Sequence, residues 1–206
     1  MDHTQKENNY PDTNKIGKHH GKMIILTAPS GAGKSSIAHY LLDKHADKLS
    51  FSVSATTRSP RGAEKDGIDY YFLSVDQFKD NIQKESFLEW EMVYEGKYYG
   101  TLKSELNRIW ESGKLPIMDI DVKGAIHVRK QFGEECLSIF IQPPSVEALE
   151  ERLKGRGTET PESIQTRLNK AKYELSFQPH FDRTVINDNL DEARQQAEKL
   201  IMDFIA

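Results

Sequence analysis

Ala28-Pro-Ser-Gly-Ala-Gly-Lys-Ser35 is the stretch on which the reading of this chain turns. The run Met23-Ile-Ile-Leu-Thr-Ala28 leads into it, short, apolar and rich in branched residues, as a strand buried on both faces of a parallel sheet is. Beyond it Ile37, Ala38, Leu41 and Leu42 recur at helical spacing. A buried strand, a glycine-rich turn and a helix in that order build an anion site. Gly31 and Gly33 let backbone N–H groups close around the anion, and the helix N-terminus adds partial positive charge. Lys34 supplies a point charge for β- and γ-phosphates, and the Ser35 hydroxyl is a natural Mg²⁺ ligand. Residues Ala28, Pro29, Ser30, Gly31, Ala32, Gly33, Lys34 and Ser35 therefore read as a loop for a nucleoside triphosphate. Ala28 departs from the strict pattern, which has Gly there. The loop alone does not say what becomes of the γ-phosphate, since motors, switches and kinases share it.

Outward from the loop, strands and helices alternate. Phe51-Ser-Val53 reads as a second strand. Helical periodicity spans residues 101–112, Leu115-Pro-Ile-Met-Asp119 is a strand, and Val122 to Phe132 a helix. Ser138-Ile-Phe-Ile141 is a core strand stopped by Pro143-Pro144, after which Ser145 caps a helix through Leu153. Lys154-Gly-Arg-Gly-Thr158 reads as a mobile stretch. Thr160 is an N-cap with Pro161 in the first helical position, and Ile164, Leu168, Ala171 and Leu175 line one face of that helix. Thr184-Val-Ile-Asn187 is a last strand, and 190–205 a closing amphipathic helix. The alternation predicts an α/β fold with a doubly wound, mostly parallel sheet. Residues 54–101 break the rhythm with turn signals, aromatic pairs and short alternations, and read as an inserted, partly β subdomain with a short helix over 75–84.

The chain has 206 residues, 37% hydrophobic and 29% charged, which suits one soluble α/β unit with an insertion. A formal net charge of -4 argues against gripping long nucleic acid, whose phosphates call for a basic excess. Cys136 is the only cysteine, so no internal disulfide forms, and a reducing, cytoplasmic setting is expected. No run approaches the roughly eighteen apolar residues of a membrane span. Residues 1–21 are polar, lack the apolar core of a secretory signal, and read as a disordered extension. The His19-His20 pair within it reads as solvated tail.

Asp119 and Asp121 end the Leu115 strand in this reading, where alternation puts both carboxylates on one face. Ligands gather at the carboxyl ends of such strands, and one of the two aspartates can hold Mg²⁺. Arg58 and Arg61 flank a turn at Pro60, with Tyr70 and Tyr99 at loop-like positions. Arginine forks match phosphate oxygens in pairs and tyrosine hydroxyls can complete the cage. Glu89 sits between bulky apolar neighbours in Phe87-Leu-Glu-Trp90. A carboxylate there needs donors. Guanine offers two adjacent ones, N1–H and its exocyclic amine, while Ser54 and Thr101 hydroxyls can donate to guanine O6. Adenine has no such donor pair.

These residues carry a resemblance. From about residue 22 onward the chain resembles guanylate kinases of the bacterial type. The signatures, in order, are Thr27-Ala-Pro-Ser-Gly-Ala-Gly-Lys-Ser-Ser36, Ser54-Ala-Thr-Thr-Arg-Ser-Pro-Arg61, Gly67-Ile-Asp-Tyr-Tyr-Phe72, Phe87-Leu-Glu-Trp90, Tyr98-Tyr-Gly-Thr101, Asp119-Ile-Asp121, Arg152-Leu-Lys-Gly-Arg-Gly157 and Val185-Ile-Asn-Asp188. The stretch between Glu89 and Tyr98 runs slightly longer than the family pattern.

The resemblance implies a P-loop NTPase fold: a core over 22–53 and 102–206, a GMP-binding insert over 54–101, and a helical lid over about 152–175. It implies transfer of phosphate from ATP to GMP, and to dGMP, with Mg²⁺. Ser54, Arg58, Arg61, Tyr70, Glu89, Tyr99 and Thr101 would hold GMP. Arg156 and Arg167 would reach the transferring phosphates from the lid, making them catalytic with Lys34 and Arg58. Asn187 would sit near adenine, Asp121 on the substrate side, and Asp119 with Ser35 at the metal. The implied partners are the two nucleotides, not nucleic acid or membrane; monomer and homodimer both stay open. Glu89 with Ser54 and Thr101 argues against another small acceptor. Intact Gly33, Lys34 and Ser35 argue against a non-catalytic, peptide-binding relative of the fold.

Overall fold

A computed structural model describes residues 21–155 and 160–206. The expected extension over 1–21, but for Gly21, and Arg156 lie outside the described residues. In chain order the strands and helices are β1 (Met23–Thr27), α1 (Lys34–Lys44), β2 (Leu49–Phe51), β3 (Ala55–Thr56), β4 (Tyr71–Phe72), α2 (Val75–Gln83), β5 (Phe87–Tyr94) and β6 (Lys97–Leu102). There follow α3 (Lys103–Glu111), β7 (Leu115–Asp119), α4 (Val122–Phe132), β8 (Cys136–Gln142), α5 (Val146–Lys154), α6 (Pro161–Leu175), β9 (Arg183–Ile186) and α7 (Leu190–Ile205). The described residues fall into two compact units, one of 53–108 and one of 21–52 with 109–206.

The larger unit is built on a five-stranded sheet of order β2-β7-β1-β8-β9, parallel at every pairing. This is the doubly wound α/β sheet the alternation predicts. Every residue of β1 is buried, as a central parallel strand must be. Ile24 and Leu26 point to one face, where Ile37, Ala38 and Leu41 of α1 and Ala193, Ala197 and Ile201 of α7 join a single apolar cluster. Met23 and Ile25, pointing the other way, are fully buried too. The cluster holds no residue of α4, and α4 packs against β1 and β8. It therefore covers the opposite face with Ala125 and Val128. On the outer side of the first layer, Glu198 of α7 ties α1 down, accepting from Tyr40 at 2.8 Å and Lys44 at 2.9 Å and pairing with His45 at 2.8 Å.

Two expectations shift. The second strand lies at Leu49–Phe51 rather than 51–53, because pairing with Leu115, Pro116 and Ile117 of β7 sets its span. Thr101 and Leu102 are strand, not helix: they face Glu89 and Phe87 across a hairpin, and cross-strand pairing overrides the helical spacing that continues from them.

The smaller unit carries a four-stranded sheet of order β4-β3-β6-β5. Its core is Ala55, Phe78, Phe87 and Leu102, closed by Tyr71, Leu73, Ile82 and Tyr98. Phe78 is fully buried and stacks on Phe87 at 4.2 Å and on Tyr98 at 5.3 Å. Its helix α2 opens with a capping box, Ser74 accepting from Gln77 N–H while the Gln77 side chain accepts from Ser74 N–H. The β5–β6 pairing slips twice, between Phe87 and Glu89 and between Met92 and Tyr94. Each slip places an extra residue on β5, which is how a bulged strand takes up added length.

Candidate active site

The larger unit holds the triphosphate loop at the carboxyl end of β1. Gly31 and Gly33 have φ of +95° and +93°, a region that side chains with Cβ occupy at a cost. At Gly33 the space matters as well, since a Cβ would run into the side-chain amide of Asn187. That amide donates from Nδ2 to the Ala32 carbonyl at 2.7 Å, and Asn187 is 4% exposed. Its Oδ1 is buried with no hydrogen-bond partner among the described residues. The Asn187 backbone is pinned in turn: its N–H donates to the Gln142 carbonyl at 2.8 Å, and its carbonyl accepts from Arg152 Nη2 at 2.7 Å. Asn187 thus braces the loop from beneath.

Lys34 opens α1 and its Nζ is ion-paired with Asp119 Oδ1. Parallel register makes this possible: Asp119 pairs with Leu26, bringing the end of β7 beside the start of the loop. Arg167, on α6, donates from Nη1 to Ser30 Oγ at 2.6 Å. The helix carrying it packs on α5 through Leu149, Leu153, Ile164, Leu168 and Ala171. Lys34, Ser30, Asp119, Arg167 and Asn187 are therefore gathered at the carboxyl end of one sheet.

Asp121 differs from its sequence reading. β7 ends at Asp119, and Asp121 is the N-cap of α4, accepting from Gly124 N–H at 2.8 Å. The two carboxylates are not alternate positions of one strand; a short polar side chain before a helix serves its first turn. Sequence reasoning also missed Glu174. It, not Leu175, is the buried member of the α6 face after Ala171, 7% exposed, with Oε2 unpartnered among the described residues and Lys170 at 3.7 Å from the other oxygen. Burial pushes its carboxyl up. A carboxylate at the next helical position along an apolar stripe was the available signal.

The smaller unit holds the second set. Thr101 Oγ1 donates to Glu89 Oε1 at 2.7 Å, the two facing each other across β5 and β6. Tyr99 lies on the same face of β6, two residues away, or about 7 Å along the strand. Its ring meets that of Tyr70 edge-on at 6.2 Å. The Arg58 guanidinium lies 4.7 Å from the centre of the Tyr70 ring. Arg58 also donates Nη1 to Glu64 Oε2 at 2.6 Å and Nη2 to Glu64 Oε1 at 2.8 Å. That pairing raises the Arg58 pKa and holds the Glu64 carboxyl down to about 2. Arg61 is exposed, and Ser54, half-buried, precedes β3 with its carbonyl accepting from Tyr71 N–H at 2.9 Å. Glu64 had no role in the sequence reading, though it follows Arg61 within the same turn.

An all-parallel sheet with a phosphate loop, a paired lysine and aspartate, and arginine reaching the loop defines a P-loop nucleotide-binding α/β protein. The guanylate kinase family model matches residues 20–204. The chain is 48% identical over 185 residues to a guanylate kinase of Bacteroides thetaiotaomicron, covering 90% of each chain. It is 50% identical over 185 residues to one of Chlorobium chlorochromatii, covering 90% of this chain and 96% of that one. The crystal structure of guanylate kinase from Anaplasma phagocytophilum is similar with a TM-score of 0.69 at 28% identity, covering 89% of this chain and 85% of that one. The chain belongs to the guanylate kinase family.

Proposed function

We propose that this enzyme transfers the γ-phosphate of ATP to GMP, giving ADP and GDP, and uses dGMP in the same way. The observation that carries the reading is the Glu89–Thr101 pair. It sets a carboxylate beside a hydroxyl on the face of β6 that also presents Tyr99. Glu89 would accept from guanine N1–H and the exocyclic amino group, and the Ser54 hydroxyl would donate to guanine O6; Thr101 would do so by turning its proton from Glu89, to which it donates in this structure. Arg58, Arg61, Tyr70 and Tyr99 would take the acceptor phosphate. Asp121 is assigned to the substrate side.

A phosphate monoester carries about -1.5 to -2 charge at neutral pH, so its oxygen attacks without a general base. That oxygen bonds to the γ-phosphorus while the β–γ bridging oxygen leaves with the electron pair as part of ADP. The barrier is repulsion between two anions and the need for in-line approach, which makes catalysis a matter of positioning and charge neutralisation. Lys34 and the loop N–H groups would hold the donor phosphates, with Asn187 on the adenosine side. Arg167, with Arg156, would meet charge developing on the transferred group. The insert over 54–101 would bind the acceptor, the core over 22–53 and 102–206 the donor, and a lid over about 152–175 would exclude water.

The residues fit Mg²⁺. Asp119 offers a hard oxygen beside Lys34, and Ser35 lies in the first turn of α1 at the loop. Mg²⁺ at kinase sites is commonly held by one or two protein oxygens together with the substrate phosphates. Mg²⁺ bound by Ser35 and Asp119 would neutralise charge on the β- and γ-oxygens.

Among the described residues no helix is long and apolar enough to cross a membrane. Cys136 is buried and its thiol is pushed up to about 12 by desolvation. We place the reaction in the cytoplasm, where a thiol stays reduced. ADP release measured with GMP, dGMP, AMP, CMP and UMP in parallel tests the assignment. Turnover confined to GMP and dGMP is expected; equal turnover of AMP would refute it.

A further inference from the structure

Resting on that reading of the acceptor site, we propose that Glu64 is a positioning residue. It presets Arg58 and Arg61 for the acceptor phosphate. The turn after β3 brings Arg58, Arg61 and Glu64 together, and one carboxylate engages both arginines. Its two oxygens take Arg58 Nη1 and Nη2 at 2.6 and 2.8 Å, and Oε2 also accepts the Arg61 backbone N–H at 2.8 Å. The turn closes from the other side too, with Glu64 N–H donating to the Arg61 carbonyl at 3.0 Å. The Arg58 side chain is only 8% exposed and Glu64 24%.

An arginine has five donors. Arg58 Nη1 donates to Glu64 and to the Ser59 carbonyl at 3.1 Å, and Nη2 donates once to Glu64. Those contacts take the end of the fork. The Nε–H and the second Nη2–H lie along one side of the guanidinium, away from Glu64, and a side-on edge of this kind matches two phosphate oxygens. The Tyr70 and Tyr99 hydroxyls accept hydrogen bonds from the same guanidinium, and would share it with the arriving phosphate. Tyr70 also supports it from below with its ring.

Freezing a long arginine before the ligand arrives removes an entropy cost from binding, because each rotamer-rich side chain ordered on binding weakens affinity. Glu64 carries out that ordering in advance. It also keeps Arg58 rigid on an aromatic shelf and fixes where the exposed Arg61 leaves the backbone. A carboxylate held well below its ordinary range stays ionised across any working pH.

The experiment compares wild-type enzyme with Glu64→Gln, Glu64→Ala and Glu64→Asp, measuring KM for GMP, KM for ATP, kcat and Tm. Expected is a rise in KM for GMP of about tenfold or more in Glu64→Gln and Glu64→Ala. KM for ATP should stay within about twofold, and Glu64→Asp should recover part of the loss. An unchanged or lower KM for GMP overturns the proposal, the lower value marking Glu64 as a competitor for the arginine. Parallel rises in both KM values with a fallen Tm also overturn it, as a structural role. If Glu64→Ala does not fold, the near-isosteric Glu64→Gln decides. Wild-type enzyme that ignored GMP would sink the function reading itself, which is a separate result.

Discussion

The Asn187 side-chain amide and the Ala32 carbonyl are hydrogen-bonded at 2.7 Å, joining the residue after β9 to the phosphate loop inside the buried core of one unit. The bond gives a buried loop carbonyl its partner. Asn187→Ala would leave the Ala32 carbonyl unsatisfied in a dry site, at a cost of ~1–3 kcal/mol. KM for ATP should rise by about tenfold with KM for GMP little changed. Steady-state kinetics against each substrate measures this, and equal effects on both would show that the brace acts on the whole fold.

Glu89 faces Thr101 and offers guanine two acceptor oxygens. Glu89→Gln replaces one of them with an amide NH2, a donor that would face a guanine donor. GMP should lose ~1–3 kcal/mol of binding, or roughly tenfold to a hundredfold in KM. ATP should bind as before. Calorimetric titration with each nucleotide separates the two; a GMP affinity unchanged by the substitution would remove Glu89 from base recognition.

Glu198 links α7 to α1 and its carboxyl is pulled down to about 2, first by the Lys44 ammonium and then by His45 and Tyr40. A carboxyl lowered in the folded state adds stability that is fully present above its unfolded pKa of about 4.3. That share is lost as pH falls through the folded value. Wild type should therefore resist urea better than Glu198→Gln at pH 7. The gap should narrow steadily between about pH 5 and pH 2. A gap independent of pH would mean that packing, not charge, supplies the difference.

Phe78 anchors the smaller unit through its stacks on Phe87 and Tyr98. Phe78→Ala should destabilise by ~3–5 kcal/mol, the usual cost of emptying a fully buried aromatic position. Equilibrium urea unfolding checks it. The loss should weaken GMP binding before ATP binding, because the cluster lies in the unit that carries Glu89 and Arg58.

Local signals made much of this legible. Val122–Phe132 matches its periodicity, and Ser145 and Thr160 cap the helices they precede, accepting from Ala148 and Ser163 N–H. The phosphate loop was readable because its chemistry requires glycine, lysine and hydroxyl in a short run. What was not legible depends on partners distant in sequence. Thr101 and Leu102 are strand because Glu89 and Phe87 lie opposite. Glu174 rather than Leu175 turns inward on α6, a choice of helix rotation that spacing leaves open to either residue. Arg152 acts by gripping Asn187, a partner far along the chain whose contact leaves no mark in local composition.

Cys136 starts β8 beside Met23, 2% exposed, with a thiol that holds its proton far above neutrality. Only a thiolate reacts with alkylating or disulfide reagents, so the folded enzyme is inert to them until β8 is released. The chain's only sulfhydryl therefore serves as an internal clock for unfolding. Under conditions where reclosing is fast, the rate at which it is labelled reports the free energy of opening that sheet. Nucleotides that stabilise the phosphate-loop unit would slow the labelling in proportion to their occupancy.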